Sequence, residues 1–247
     1  MSSPESIEQF LETAPGPKAR WAGFAELMEG LTATGGQVII LGKLVVEDNA
    51  ATTAKNILEN QDLFWFGFAL SVLGIVFHII WAFLFYRMFK PVNKSLSLLA
   101  LYFILIGCAI QAVTCVFYAA PIYVLHGAGS FSTFDQNQLQ TIALILFKVN
   151  GIAFDTYLIF FGIWCILTGY LISKSTFMPK LIGKLVIVSG IAWTVFLVPN
   201  FAHRVFPILA AASALGELPL QFWLIFKGVN VQAWKKQVFD SMQTSNY

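Results

Sequence analysis

The stretch Leu63–Tyr86, LFWFGFALSVLGIVFHIIWAFLFY, contains no Asp, Glu, Lys or Arg and is long enough to cross a lipid bilayer. A spanning helix needs about 20 consecutive, predominantly apolar residues. Five other runs share this character, and the predicted spans are Arg20–Leu41, Leu63–Phe89, Ser95–Leu125, Leu139–Ile172, Leu181–Phe201 and Val205–Phe226. Because the runs are continuously apolar rather than alternating, they predict helices and not the strands of a membrane barrel.

The composition excludes a water-soluble domain. Of the 247 residues, 57% are hydrophobic and 11% are charged, whereas an average soluble domain carries about 25% charged residues. The sequence therefore predicts an all-α, polytopic membrane protein whose partner is the lipid bilayer. We expect a cytoplasmic N-terminal segment over residues 1–18, a six-helix transmembrane domain over 19–230 and an amphipathic cytoplasmic tail over 231–247.

A short surface helix is predicted before the first span. Ser3 can cap it and Pro4 suits its first helical position. Its apolar residues fall on one face, and they are Ile7, Phe10 and Leu11. Such a helix is typical of a segment that lies at the membrane surface.

Two further helices and one irregular loop are predicted outside the spans. Asp48 or Asn49 can cap a helix over Ala50–Leu58. The segment His126–Asn137 is rich in Gly and Ser and predicts an irregular loop. Near the C-terminus, a helical spacing of apolar residues beside two lysines predicts an interfacial helix, and those apolar residues are Val231, Trp234 and Val238.

The positive charges are sorted between the two sides of the predicted bundle. One side collects Lys18, Arg20, Arg87, Lys90, Lys94, Lys174, Lys180, Lys184, Lys227, Lys235 and Lys236, and the other collects Lys43, Lys55 and Arg204. Short cytoplasmic loops hold the excess of Lys and Arg, so both termini are predicted to be cytoplasmic. Because these charges are scattered over loop ends rather than clustered, we expect no nucleic-acid partner.

Several residues inside the spans are polar or ionisable, which hydrocarbon should exclude. They are Glu26, Glu29, His78, Gln111, Lys148, Asn150, Asp155, Glu217 and Gln221. A charge at the bilayer centre costs about 2.5–3.5 kcal/mol on insertion scales, so such groups mark functional sites by default. Counted from the cytoplasmic ends at about 1.5 Å per residue, Glu29, His78 and Glu217 all lie about 15 Å deep. Glu26 is expected to be hydrated from the cytoplasm.

The polar residues share helix faces with small residues. On the second span the stripe is Gly67, Ser71, Gly74 and His78, on the third it is Gly107, Gln111, Thr114 and Tyr118, and on the fourth it includes Lys148, Gly151 and Asp155. Small residues let membrane helices approach closely. We therefore expect these faces to pack together around one polar interior.

Metal binding and nucleophilic catalysis have little support in the sequence. His126 and His203 are predicted on the outer side, away from His78, so we expect no metal site. Ser130 beside Gly129 lies in the predicted irregular loop rather than on a strand-to-helix elbow. The sequence indicates neither a cofactor nor an oligomeric state.

Several phrases follow one another along the chain: ARWAG at Ala19–Gly23, NAATTAKNIL at Asn49–Leu58, PVNKSLSLLA at Pro91–Ala100, FFGIWCILTGYL at Phe160–Leu171, GEL at Gly216–Leu218 and WLIFKGVN at Trp223–Asn230. In this order the chain resembles an uncharacterised bacterial integral-membrane family, domain of unknown function 4386. The resemblance implies a six-helix protein of the bacterial inner membrane with no established activity. It also draws attention to Glu217, which lies within one of these phrases.

Three functions stay open at this point. The leading hypothesis is binding or translocation of a small solute, a proton or a cation, with Glu29, His78 and Glu217 forming an inner site and with Gln111 and Asp155 further outward. Carboxylates beside an imidazole can exchange protons near neutral pH. The alternatives are an intramembrane enzyme that acts on a lipid-like substrate through an acidic pair, and a non-catalytic accessory or sensor protein whose polar core only fixes packing.

Overall fold

The computed structural model describes residues 15–127 and 133–244, and every regular element in that part of the chain is a helix. The α-helices are α1 (Gly16–Ala33), α2 (Leu41–Leu44), α3 (Ala50–Glu59), α4 (Gln61–Phe89), α5 (Lys94–His126), α6 (Gln136–Lys174), α7 (Lys180–Thr194), α8 (Pro199–Arg204), α9 (Phe206–Phe226) and α10 (Val231–Thr244). A π-helical segment, Thr34–Ile40, joins α1 to α2, and a 3-10 turn, Val195–Leu197, follows α7. The all-α fold class is confirmed for these residues.

Within the described ranges, five helices are long and apolar enough to cross a membrane. They are α4, α5, α6, α7 with its 3-10 turn, and α9. The first helix carries more charge than these five, since α1 includes Lys18, Arg20, Glu26 and Glu29. The protein is therefore a multi-pass membrane protein, and a sixth crossing by α1 stays a prediction.

The first predicted span, Arg20–Leu41, is not one uniform α-helix. The chain leaves α geometry at Thr34 and keeps π geometry to Ile40. Gly35 and Gly36 lie here, and Gly is a poor helix former. At Gly36 the segment also touches α4 so closely that a side chain would collide with that of Ser71. We attribute the change of geometry to these two glycines and this contact, and π segments are frequent at functional sites.

The fifth predicted span, Leu181–Phe201, is wrong at its end. α7 stops at Thr194, and Val198 has φ −122° and ψ 77°, which is not helical. Val198 precedes Pro199, and the proline ring disfavours helical geometry in the residue before it. Pro199 then starts the short helix α8, where its missing N–H costs nothing.

The predicted helices outside the spans are confirmed where the structure describes them. α3 is capped by Asn49, whose Oδ1 accepts a hydrogen bond from the Thr52 N–H at 2.9 Å. α10 also forms, but its apolar face packs on protein: Trp234 is buried and donates from Nε1 to the Met88 carbonyl at 3.0 Å. The helix predicted before Pro15, and residues 128–132 of the predicted irregular loop, lie outside the described residues.

The chain forms two compact units. The first unit comprises the described residues of Met1–Leu27, Ile79–Ile106 and Leu158–Tyr247, and the second comprises those of Met28–His78 and Gly107–Tyr157. Each unit has its own close helix contacts, and each is considered by itself below.

In the first unit, α6 and α7 meet through two pairs of glycines. A Cβ built on Gly162 would lie 2.7 Å from the Gly190 carbonyl oxygen, and one built on Gly169 would lie 2.6 Å from that of Gly183. The pairing is antiparallel, because the earlier glycine of α6 faces the later glycine of α7. Both backbones are in contact only because neither helix has a side chain at these points.

In the second unit, the stripe predicted on the second span does pack against the first helix. A Cβ on Gly74 would lie 3.3 Å from the Ala33 backbone nitrogen. Gly67 faces Ile40, with a Cβ-to-Cγ2 distance of 2.7 Å. The same unit has an apolar core of Ile40, Leu41, Leu44, Ile57, Phe64, Tyr118, Ile122 and Phe147. The predicted packing face is wrong at Gly151, where a Cβ would meet nothing within 4 Å.

Gly169→Ala is expected to destabilise the protein, because the new methyl group would force α6 and α7 apart. Overpacking of this kind typically costs about 1–3 kcal/mol. The matched control is Gly151→Ala on the same helix, where the added methyl meets nothing and Ala is the better helix former. Thermal unfolding in detergent should show a lower midpoint for Gly169→Ala and an unchanged or higher midpoint for Gly151→Ala. An equal loss in both variants would contradict the packing described here.

Candidate functional site: a buried glutamate–histidine pair

Glu29 of α1 and His78 of α4 meet inside the second unit. Glu29 Oε1 lies 3.3 Å from His78 Nδ1, and the two residues are 6% and 0% exposed. Gly74 lies one helical turn before His78 and lets the two helices approach, since a Cβ there would be 3.2 Å from Thr32 Oγ1. A buried ionisable group is costly unless it is paired. The carboxylate and the imidazole are therefore placed to satisfy each other.

A third side chain, Tyr157 of α6, completes this cluster. Its hydroxyl group donates to Glu29 Oε1 at 3.3 Å and lies 3.5 Å from His78 Nδ1. Its ring meets the imidazole edge to face, with centroids 5.7 Å apart. Sequence reasoning chose Asp155 on this helix and missed Tyr157. The available signal was its spacing from Asn150, because residues seven apart share a helix face.

We call these three residues the Glu–His–Tyr cluster. It combines a carboxyl group, an imidazole, and a hydroxyl group that can both donate and accept hydrogen bonds. The imidazole and the hydroxyl group both contact one oxygen of the carboxyl group. Such a group of atoms can hold a proton and pass it between neighbours.

A second polar group in the same unit centres on Thr114 of α5. Thr114 Oγ1 accepts from Gln37 Nε2 at 3.2 Å, and its carbonyl accepts from Asn150 Nδ2 at 2.7 Å. Thr114 Oγ1 also donates to the Gln111 carbonyl at 2.7 Å. Gln111 is 2% exposed, and its Oε1 has no hydrogen-bond partner among the described residues. Sequence reasoning missed Gln37, although a glutamine inside a predicted span was itself a signal.

Lys148 of α6 lies apart from these groups. Lys148 is exposed, and its Nζ donates to Asp48 Oδ1 at 2.8 Å. The sequence placed Lys148 on a helix face with small residues, but also near the outer end of its span with a partner on another element. The second expectation is confirmed, because the long side chain reaches a carboxylate in the α2–α3 connection. Asp155 is half-buried in the second unit. Whether it contributes to a ligand site stays a prediction.

Glu217 belongs to the first unit, where α7 and α9 hold it. Its Oε1 accepts from Ser189 Oγ at 2.6 Å and from Trp193 Nε1 at 2.7 Å. Gly216 makes this possible, because a Cβ there would lie 2.8 Å from Ser189 Cβ. A site that combines Glu217 with Glu29 stays a prediction.

Glu26 and Gln221 also lie in the first unit. Glu26 is 3% exposed, whereas the sequence predicted a side chain in contact with cytoplasmic water. One turn before it, α1 packs closely on α9, where a Cβ on Gly23 would lie 2.6 Å from Leu224 Cβ and 2.9 Å from the Gln221 carbonyl oxygen. Gln221 is likewise buried, at 6% exposure.

Two cavities border the start of α1 in the first unit. The larger has a volume of about 670 Å³ and is lined by residues of α1, of the end of α9 and of the start of α10. The smaller has a volume of about 280 Å³, and its lining includes Lys18, Arg87 and Lys90. Across residues 15–127 and 133–244, no three His, Cys, Asp or Glu side chains come together as a metal site.

These features define a class: a multi-pass helical membrane protein with ionisable side chains buried among its helices. The chain belongs to the family described as Domain of unknown function (DUF4386), whose sequence model matches residues 21–228. The resemblance found in the sequence is thus confirmed.

A relative from Archaeoglobus fulgidus, described as an uncharacterized protein, is 26% identical over 162 residues, which cover 64% of this chain and 83% of the relative. No solved structure matches the chain significantly.

Lys148→Met is expected to raise the pKa of the Asp48 carboxyl group. In the folded protein the hydrogen bond from Lys148, and then its positive charge, hold this pKa below its ordinary value of 3.8. Because the folded pKa is the lower one, the pair stabilises the fold above the ordinary pKa, and this contribution is lost as pH falls through the lowered pKa. Carboxyl ¹³C NMR of aspartate-labelled protein, with the signal assigned by its loss in Asp48→Asn, measures the titration. An unshifted titration in Lys148→Met would contradict the pairing.

Proposed function

We propose that this protein binds or translocates a proton, a cation or a small polar solute, and that the Glu–His–Tyr cluster of the second unit is the central binding group. The observation that carries the proposal is the contact between Glu29 and His78, with the Tyr157 hydroxyl within reach of both. All three are buried inside a protein whose helices are bathed by lipid.

The free-energy cost of burying these ionisable side chains supports a functional role for them. Apolar side chains would fill the same positions without any desolvation penalty, and replacing buried ion pairs by apolar residues is often neutral or stabilising. Ionisable residues inside membrane helices are accordingly rare and mark ion or proton pathways. A carboxylate and an imidazole in contact can share a proton.

The Thr114 group supplies further polar atoms in the same unit. Gln37 and Asn150 converge on Thr114, and the Gln111 side-chain oxygen is buried without a hydrogen-bond partner in the described part of the chain. Buried polar atoms are normally satisfied. A solute with a donor group, or a chain of water molecules, would satisfy Gln111 and extend the polar interior. Gln37 also lies in the π segment, where backbone geometry departs from the α-helix.

Glu217 is proposed as a second acidic group of the same function. Its carboxylate is half-buried in a membrane helix and already accepts two hydrogen bonds. A carboxylate has two oxygens and carries a negative charge, which suits a cation or a proton. Its contribution can be tested separately from that of Glu29, because the two residues belong to different units.

The proposed orientation has both termini in the cytoplasm of a bacterial inner membrane. It is supported by the concentration of Lys and Arg near the ends of the chain and in the α4–α5 and α6–α7 connections. This orientation places α3 on the outer surface.

Glu29→Gln is expected to lower flux by about tenfold or more, because an amide cannot exchange the proton that a general acid or base must exchange. Purified protein in liposomes with an internal pH dye measures proton flux, and parallel sodium or potassium gradients measure cation flux. Tyr157→Phe removes only the hydroxyl group and should produce a smaller loss. Glu217→Gln forms a further arm that tests the first unit.

The matched control for this experiment is Glu59→Gln, which makes the same change at a side chain that is 62% exposed. It should leave flux unchanged. Flux no greater than in empty liposomes, or parental flux in Glu29→Gln, would contradict the proposal. A loss of thermal stability in Glu29→Gln without loss of flux would instead favour a packing role for the cluster.

The orientation predicts that a cysteine at Lys55 reacts with a membrane-impermeant maleimide in intact cells, whereas one at Lys94 reacts only after permeabilisation. Both positions are exposed, and they lie at α3 and at the start of α5. The three native cysteines, Cys108, Cys115 and Cys165, are buried and should give little background. The reverse labelling pattern would overturn the orientation without affecting the proposed site.

A further inference from the structure

The larger cavity of the first unit is lined by cationic side chains and by exposed aromatic side chains. Arg20 and Lys227 line it, together with Trp21, Phe24 and Ile225. No Asp or Glu is among its described lining residues. Its volume of about 670 Å³ falls within the range of small-molecule sites, which is about 300–1,000 Å³.

The cavity lies at the ends of α1 and α9, where the sequence changes between apolar and basic residues. The last turn of α9 is apolar up to Phe226, which is 70% exposed, and Lys227 follows immediately. On α1, Arg20 is followed by Trp21, which is 65% exposed, and Trp is enriched at the boundary between headgroups and hydrocarbon. The sequence pattern of both helices therefore places the cavity at the level of the lipid headgroups.

The backbone around the cavity belongs to two helices. Gly16 and Pro17 of α1 and Val231 of α10 line it. Gly228 turns the chain between α9 and α10 with φ +69°. A Cβ built on Gly228 would lie 3.9 Å from Arg20 Cγ.

Neither Arg20 nor Lys227 forms an ion pair with another of the described residues. Two cations around one space repel each other unless an anion lies between them. The exposed rings of Trp21 and Phe24, which meet edge to face at 5.7 Å, offer an apolar wall beside these charges. The ligand that fits is an anion with an apolar chain attached.

We propose that this cavity binds the headgroup phosphate of an anionic phospholipid between Arg20 and Lys227, with an acyl chain along Trp21 and Phe24. Basic pockets between membrane helices on the cytoplasmic side bind such headgroups in general. The proposal does not depend on the proposed function, because the cavity belongs to the first unit and the Glu–His–Tyr cluster to the second. A measurement of lipid binding can therefore contradict this proposal without contradicting the proposed function, and a measurement of ion flux can do the reverse.

Native mass spectrometry of the detergent-solubilised full chain tests the proposal with phosphatidylglycerol and phosphatidylcholine as probes. The parent protein should bind phosphatidylglycerol in preference to phosphatidylcholine. The double variant Arg20→Gln/Lys227→Gln should bind phosphatidylglycerol about thirtyfold more weakly, from the typical contribution of two basic residues near a membrane surface. The matched control, Lys180→Gln/Lys184→Gln, removes the same charge from two exposed lysines of α7 in the same unit and should bind as the parent does.

A second readout does not depend on the charge variants. Phosphatidylglycerol with brominated acyl chains should quench tryptophan fluorescence in the parent protein, and much of that quenching should disappear in Trp21→Phe. Persistent full quenching in Trp21→Phe would overturn the assigned position of the acyl chain.

Three other outcomes would overturn the proposal. Equal weakening by the control double variant would mean that charge alone attracts the lipid. Full displacement of the lipid by an excess of inorganic phosphate would assign the cavity to a free anion. Tighter lipid binding in Glu5→Gln/Glu8→Gln/Glu12→Gln would assign it to the acidic N-terminal segment of the chain itself.

Discussion

Hydrocarbon offers no hydrogen bonds to a buried side chain, and this constraint governs the described structure. Glu29 and His78 are both buried, and each is satisfied by the other and by Tyr157. That requirement in turn fixes how close α1 and α4 must come. Gly74 lets α4 approach α1, and Gly36 lets the π segment approach α4. A side chain at either position would hold these segments apart. Packing and polarity in the second unit are thus two aspects of one arrangement.

The first unit meets the same constraint with different means. Its close contacts are mostly glycine against backbone, at α6 with α7 and at α1 with α9, and its half-buried acid Glu217 is satisfied by a serine and an indole rather than by an imidazole. The two acids that look equivalent in the sequence therefore have different chemical surroundings. Glu29 lies beside a group that can take up its proton, whereas Glu217 lies beside two groups that ordinarily only donate hydrogen bonds to it.

The fold was predictable from the sequence to the extent that it depends on apolar length. α4, α5, α6 and α9 begin and end within a few residues of the predicted spans, because the boundary between apolar and polar residues is also the boundary of a membrane helix. The split at Val198–Pro199 was less visible, since the surrounding residues stay apolar and only the backbone restriction of proline interrupts the helix. The π segment at Thr34–Ile40 depends on a tertiary contact with α4, which no local pattern encodes.

The sequence predicted that ionisable side chains would meet between the helices, but it did not predict every residue that takes part. The spacing of Glu29 and His78 from the helix ends placed them at one depth, and the structure brings them together. Tyr157 escaped notice because a tyrosine in an apolar run resembles packing, and its role becomes visible only when its hydroxyl group is seen beside Glu29. For Lys148 the helix face alone did not predict the contact, because a long side chain can leave the helix face on which its Cα lies and reach a distant carboxylate.

The paired glycines of α6 and α7 also restrict how these helices can move. Gly162 and Gly169 are seven residues apart, as are Gly183 and Gly190, so both contacts are in register at once. A slide by one helical turn would place a bulky side chain against bare backbone at two points together. Within the first unit, α6 and α7 therefore cannot slide past each other. A conformational change in this unit has to occur at another pair of helices.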